Sequence, residues 1–388
     1  MKNRIVTIIG LFALLSTASA AGPKADFNVI PVPRTICAGT SAPFVLDSNT
    51  KIYYEEGQKR NAAFLQQYIT DITGIVPELT DRPRKRGTIS LRVKDTSSDA
   101  EGYYAIQTLR KALPAGQASE VEIPSCIVED SPRFAYRGVH LDVVRHFFPV
   151  DSVKRYIDII ALHNVNRFHW HLTDDQGWRV EIKSRPRLTS VGAYRNQTAG
   201  DGTPHGGFYT QDEIRDIIRY AQERYITIIP EIDIPGHSAA ALASYPEIGC
   251  TGGPYEVCEV WGGPADVLCA GKDETMQFLQ DVFTEIAGLF PSQYIHIGGD
   301  ECPKQRWKEC RACQAKIKEL GIVPDKKHSA EQKLQSYVMV SVEKFLAAKG
   351  RKVIGWDEIL EGGLGPDATV HSWRGMGGAV EAVKQGHD

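Results

Sequence analysis

Val165-Asn166-Arg167-Phe168-His169-Trp170-His171-Leu172 runs straight into Thr173-Asp174-Asp175-Gln176-Gly177-Trp178-Arg179. The first stretch, largely apolar and aromatic, reads as a strand buried on both faces, and ionisable side chains crowd its C-terminal end. Similar runs lie at 138–144, 226–234, 294–297, 353–356 and 369–373. Helical patterns separate them. One follows Asp151-Ser152 and reaches His163. The next opens at Thr210 with Glu213 three residues on, a capping box. Others fill 274–289, open at Ser329 with Gln332 and stop at Gly350, and begin near Gly378. Strand and helix in strict alternation predict a parallel sheet with helices outside. No glycine-rich phosphate loop follows the first strand, which disfavours a doubly wound open sheet. The expected fold class is therefore α/β, a (β/α)₈ TIM-type barrel over 134–388 with the active-site residues at its C-terminal face.

Six strand–helix units can be counted where a closed barrel has eight, so the reading is of a barrel truncated at its C-terminal side. Ahead of it, 26–130 carries short β-rich runs at Lys51–Tyr54 and 88–93 and one helical stretch at 61–72. This is expected to be a small, incomplete α+β domain, joined by a linker over 123–133. Residues 1–20 have a basic start (Lys2, Arg4), an apolar run and Ala18-Ser19-Ala20, the pattern of a secretion signal. The expected location is periplasmic or extracellular. Eleven apolar residues are too few to span a bilayer, which takes about 20.

The chain has 45 Lys and Arg against 48 Asp and Glu, a net charge of −3 that offers no bulk attraction to nucleic acid. Its eight cysteines, an even number in a chain read as exported, predict disulfide bonds of undetermined pairing. Cys250, Cys258 and Cys269 fall in one loop, and Cys302, Cys310 and Cys313 in another. Cys310-x-x-Cys313 alone has no second such pair to complete a zinc motif, so no metal and no cofactor is expected.

The sharpest candidate site is His296-Ile297-Gly298-Gly299-Asp300-Glu301. Adjacent carboxylates at a strand end diverge if side chains alternate there, which suits acids working at two points around one sugar ring. The glycines leave room for a substrate to approach the backbone. His169, His171 and Asp174 at one strand end, and Glu231, Asp233 and His237 at another, are costly to bury unless paired, so an Asp–His–Glu chain is expected. Arg137 offers a planar fork of donors to neighbouring hydroxyls. Trp356 and Trp373, at two further strand ends, are suited to stacking on a pyranose ring.

In this order, Pro132-Arg133-Phe134-Ala135-Tyr136-Arg137-Gly138, His169-Trp170-His171-Leu172-Thr173-Asp174-Asp175, Pro235-Gly236-His237 and His296-Ile297-Gly298-Gly299-Asp300-Glu301 resemble glycoside hydrolase family 20, the β-N-acetylhexosaminidases. The resemblance runs from about Phe27 to the end. It implies an exo-acting hydrolase that releases terminal β-linked N-acetylhexosamine from a glycan or oligosaccharide, with the substrate's acetamido group as nucleophile and retention of configuration. It implies Glu301 as general acid/base and Asp300 as the partner of the acetamido N–H. It further implies Asp174 and His237 as a relay to Glu301, Arg137 as the grip on ring hydroxyls, and Trp356 and Trp373 as walls around the acetamido methyl. The family's seventh and eighth strands contribute a Tyr, an Asp and a Trp that have no counterpart in this sequence. Two alternatives accompany this reading. One is a sugar-binding remnant without catalysis; the other is a metal-dependent hydrolase built on His169-x-His171, Asp174 and His237.

Overall fold

A computed structural model describes residues 22–84, 86–92 and 99–388. The segment read as a secretion signal and the end of the expected 88–93 strand lie outside the described residues. The chain divides into two compact units, Met1–Ser131 and Pro132–Asp388.

In the first unit Lys51–Tyr54 is the centre of a three-stranded parallel sheet, flanked by Glu78–Thr80 and Thr88–Leu91. Phe44–Asp47 pairs antiparallel with Glu120–Ile123. The helix Lys59–Thr73 ends at Gly74, whose φ of 77° is the left-handed cap that glycine adopts without strain. Leu46, Ile52, Leu65, Ile69, Ile106 and Val121 form its buried core. Residues 101–109 lie within one helix, Asp99–Ala112, that turns Tyr103, Ile106 and Gln107 inward at helical spacing. One expectation changes. The expected linker contains a strand, Cys126–Glu129, paired antiparallel with Thr35–Ala38.

The second unit is built on six parallel strands of a TIM-type barrel with helices outside them. The strands, in chain order, are Gly138–Asp142, Arg167–His171, Thr227–Glu231, Tyr294–His296, Lys352–Trp356 and Thr369–His371. Each pairs in parallel with its sequence neighbours, so spatial order follows chain order. Among the described residues the first and sixth strands each pair with one strand. Helices Val150–Leu162, Gln211–Glu223, Asp273–Leu289 and Ala330–Ala347 connect the first five strands, a 3₁₀ turn, Asp357–Leu360, lies between the fifth and sixth, and Met376–Lys384 follows the sixth. Thr210 and Ser329 both form reciprocal capping boxes, with Glu213 and Gln332.

The side-chain alternation of the second strand sorts the molecule into two layers. Phe168 and Trp170 point outward and are fully buried beneath the helices, Trp170 packing on Tyr209 and Phe290. His169 and His171 point inward, where register sets His171 beside Asp142 on one side and Glu231 on the other. The interior is therefore polar, and the apolar core lies between sheet and helices.

Arg179 secures the loop after the second strand. Its side chain is fully buried and donates to the carbonyls of Val143, Val144, Ala193 and Gly207 at 3.2, 2.6, 2.6 and 3.0 Å. Burial pushes the guanidinium down to about 10, which leaves it charged at neutral pH. Replacing it strands four buried acceptors. Arg179→Met is expected to lower stability by on the order of 3 kcal/mol or more, read as a shifted urea midpoint. An unchanged midpoint would show that those carbonyls find other partners.

Candidate active site

Glu231 closes the third barrel strand with its carboxylate wholly buried. Oε2 accepts from His169 Nε2 at 2.8 Å and His171 Nδ1 at 2.6 Å, and Oε1 accepts from Trp356 Nε1 at 2.9 Å. The His296 ring stands 3.2 Å from Oε1. Burial alone would raise this carboxyl, but His171, His296 and His169 together hold it well below its usual range. For His171 burial is likewise outweighed: Glu231 and Asp174 lift it well above an ordinary histidine. It is therefore an imidazolium, bonded through Nδ1 to Glu231 and through Nε2 to Asp174 Oδ2 at 3.1 Å. Burial pushes His140, His169 and His371 each down to about 4, so these rings are neutral at physiological pH.

The chain of charges continues towards the mouth. Asp174 Oδ1 accepts from His237 Nδ1 at 3.1 Å, and Arg145 Nη2 lies 2.7 Å from Asp174 Oδ2. Arg145 also meets Asp142 at 2.9 Å and Gln176 Oε1 at 3.0 Å. His237 is raised far above its ordinary value: burial works against it, but bonds to Asp174 and Asp175 and the charge of Asp233 prevail. Its other nitrogen, Nε2, points at the paired acids, 3.6 Å from Asp300 Oδ2 and 3.6 Å from Glu301 Oε2.

That pair sits beyond the fourth strand, in a loop of unusual backbone. Gly298, Gly299 and Glu301 have φ of 65°, 105° and 44°, a left-handed run that a non-glycine residue such as Glu301 enters only under constraint. The acids therefore do not diverge by strand alternation; both turn to one imidazole and differ in exposure. Asp300's side chain is 18% exposed and Glu301's 59%. The glycines answer to the protein interior. A Cβ on Gly298 would lie 1.6 Å from Asp233 Oδ1, and one on Gly299 would lie 2.5 Å from Ile359. Asp233 Oδ1 accepts from the Gly299 N–H at 3.2 Å, and Gln335 Nε2 donates to the Gly299 carbonyl at 2.6 Å.

Burial pushes Asp300 up to about 6 against the opposing His237 charge, and burial with the nearby Asp300 charge raises Asp233 well above the usual carboxylate range. Among the described residues, Asp300 Oδ1, Asp233 Oδ2 and His237 Nε2 are buried without a hydrogen-bond partner. Such atoms cost free energy unless something polar meets them. They mark where a ligand's polar groups would bind.

Asp174, His237, Asp300 and Glu301 are thus brought together at the C-terminal mouth. Trp356 lies deeper, its ring 4.6 Å from those of His296 and His371 and its N–H held by Glu231. Trp373 stands on the rim, half exposed, its indole donating to Glu358 Oε2 at 3.0 Å. Arg137 is not at the mouth. It precedes the first strand, at the opposite end of the sheet, and donates to the carbonyls of Asn164 and Phe134 at 2.8 and 2.9 Å. The arginine beside the acids is Arg145, three residues past that strand. Its signal was present in Asp142-Val143-Val144-Arg145, which follows the strand where Arg137 precedes it. His169 and His171, the core of the metal-hydrolase alternative, both turn to Glu231. No disulfide joins any two of the eight cysteines in the structure.

Comparison with known proteins agrees with this architecture. Residues 134–388 match the family described as "Glycosyl hydrolase family 20, catalytic domain", and 26–104 match its "domain 2". The chain is 51% identical over 292 residues to a beta-hexosaminidase of Porphyromonas gingivalis, covering 74% of this chain and 37% of that protein. It is 35% identical to a beta-hexosaminidase of Vibrio furnissii, covering 95% and 63%. The crystal structure of an exo beta-N-acetylglucosaminidase from Vibrio harveyi superposes with a TM-score of 0.82 at 31% identity, covering 95% of this chain and 61% of that one. The chain thus spans less than two thirds of each of these proteins. Nothing in the comparisons favours a metal-dependent hydrolase or an inactive remnant. The chain belongs to glycoside hydrolase family 20.

Proposed function

We propose that this chain carries the catalytic centre of an exo-β-N-acetylhexosaminidase, which removes terminal β-linked N-acetylhexosamine from glycans or chito-oligosaccharides. The observation that carries the reading is the approach of one imidazolium, His237, to two adjacent carboxyl groups of unequal burial. The similarity to named beta-hexosaminidases supports the substrate class.

In the proposed reaction the acetamido carbonyl oxygen attacks the anomeric carbon as the glycosidic C–O bond breaks. An oxazolinium ring forms, and water then opens it with net retention. Substrate assistance of this kind departs from the usual pairing of an enzymic nucleophile with an acid. A tethered nucleophile supplies effective molarity worth about 7–11 kcal/mol when well oriented. Glu301, the more exposed acid, protonates the leaving oxygen and later takes a proton from water. Asp300, buried and with one oxygen unpartnered, accepts the acetamido N–H and stabilises the positive charge that grows on nitrogen. His237, anchored by Asp174, sets the field at both acids. Arg145 stands in for Arg137 as the guanidinium at the mouth, and Trp356 with Trp373 supplies aromatic surface.

Glu301→Gln is expected to lower kcat about 100-fold or more on substrates with poor leaving groups, and far less on aryl glycosides that need no acid. Equal losses on both would remove Glu301 from the acid role. Asp300 works as an anion in this scheme. Since its carboxyl sits at about 6, it is protonated below that pH and ionised above it, so kcat should rise with pH through about 6. Asp300→Asn should abolish that limb and cut kcat by roughly 100-fold or more. An acid limb that persists in Asp300→Asn would assign it to another group.

A further inference from the structure

Outside the mouth, four cysteines from distant parts of the sequence meet. Cys250 and Cys269 flank the long loop after the third barrel strand; Cys310 and Cys313 lie in the segment after the fourth. Their sulfur atoms all fall within 4.8 Å of one another. Cys250 Sγ is 3.9 Å from Cys313 Sγ, and Cys269 Sγ is 3.7 Å from Cys310 and 3.5 Å from Cys313. Disulfide-bonded sulfurs would sit about 2.05 Å apart in discrete pairs. Four thiolates around one zinc ion, each about 2.3 Å from the metal, form a tetrahedron with edges of about 3.8 Å. The three separations match those edges, and Cys269 stands close to more than one partner, which pairwise bonding does not produce.

The surroundings fit a metal as well. Cys269 and Cys313 are fully buried, and Cys250 and Cys310 only partly exposed. The Gly271 backbone N–H bonds to the Cys269 sulfur, a contact that steadies thiolate charge at metal centres. A Cβ on Gly271 would lie 2.2 Å from the Ala312 carbonyl carbon, so only glycine lets the two segments close around the sulfurs. Lys272 donates to the carbonyls of Glu247 and Gly249 at 2.8 and 2.7 Å, which ties down the backbone that leads into Cys250.

We propose that Cys250, Cys269, Cys310 and Cys313 form a structural tetrathiolate zinc site that clamps the third and fourth βα loops together. Binding one Zn²⁺ releases a proton from each thiol and involves no change of oxidation state. All-sulfur tetrahedral coordination selects zinc among common divalent ions, leaves no position for water, and so gives a closed site with no catalytic role. Other contacts run along the same seam: Trp307 Nε1 donates to the Leu268 carbonyl at 2.9 Å, and Arg306 pairs with Asp266 at 2.8 Å. The clamped segment begins just after Glu301, so the site would hold the acid-bearing loop in place from outside.

The test is metal analysis of the full chain, purified without a histidine tag. Stoichiometric zinc is expected, retained in Cys37→Ser/Cys126→Ser and lost in Cys269→Ser/Cys313→Ser. Because the latter variant could fail to fold, the wild-type chain supplies two further readings. An organomercurial should release zinc in step with modification of four thiols, and cobalt replacing zinc should give the intense visible absorption of a tetrahedral thiolate complex. Bound iron in place of zinc, zinc retained in Cys269→Ser/Cys313→Ser, or a non-reducing peptide map with these four cysteines in two disulfides would each overturn the proposal.

Discussion

One buried carboxylate organises the barrel interior. A wholly desolvated Glu231 is tolerable only because donors from the second and fifth strands converge on it and one of them, His171, carries a full positive charge. The partners come from two other strands of the sheet, so the carboxylate is satisfied only when the strands are in register. Removing any one partner leaves a charge or a donor stranded. The polar interior thus fixes strand register as an apolar one would not, since apolar packing tolerates sliding more readily than a set of directional bonds does.

From Glu231 the charges alternate outward: His171, Asp174, His237, then the carboxyl pair. The order has a consequence for chemistry. Burial raises both Asp300 and Asp233, the Asp300 charge adds to this at Asp233, and His237 is the positive charge that counters it at both. The two adjacent acids differ in exposure, 18% for the Asp300 side chain and 59% for that of Glu301. Both stand 3.6 Å from the same imidazole nitrogen, Glu301 from a left-handed backbone conformation. Glycine at 298 is required because Asp233 occupies the space a side chain would need.

Much of this was legible in the sequence. Six strands and their helices follow from run length and punctuation, and the capping boxes at Thr210 and Ser329 are local patterns that tertiary packing had no reason to override. The acids and His237 were legible because they lie in the loops that follow strand ends. What escaped was non-local or directional. Nothing local says that Glu231 will be met by histidines 60 and 62 residues earlier. Arg137 and Arg145 flank the same strand, and only knowing which end faces the mouth separates them. The helix Asp99–Ala112 was obscured by Gly102, which lowers helix propensity, though Gln58 and Asn61 pack against it closely. The cysteine cluster escaped because its two halves lie far apart in sequence and only one has the Cys-x-x-Cys spacing.

The central claim is that the substrate's own amide arm is the nucleophile, steadied by Asp300. It is tested most directly by comparing kcat/KM for three aryl glycosides that differ only at carbon 2: acetamido, hydroxyl and hydrogen. The account predicts turnover of the acetamido compound with the other two slower by several orders of magnitude, as befits loss of an intramolecular nucleophile. Comparable rates for all three would contradict it.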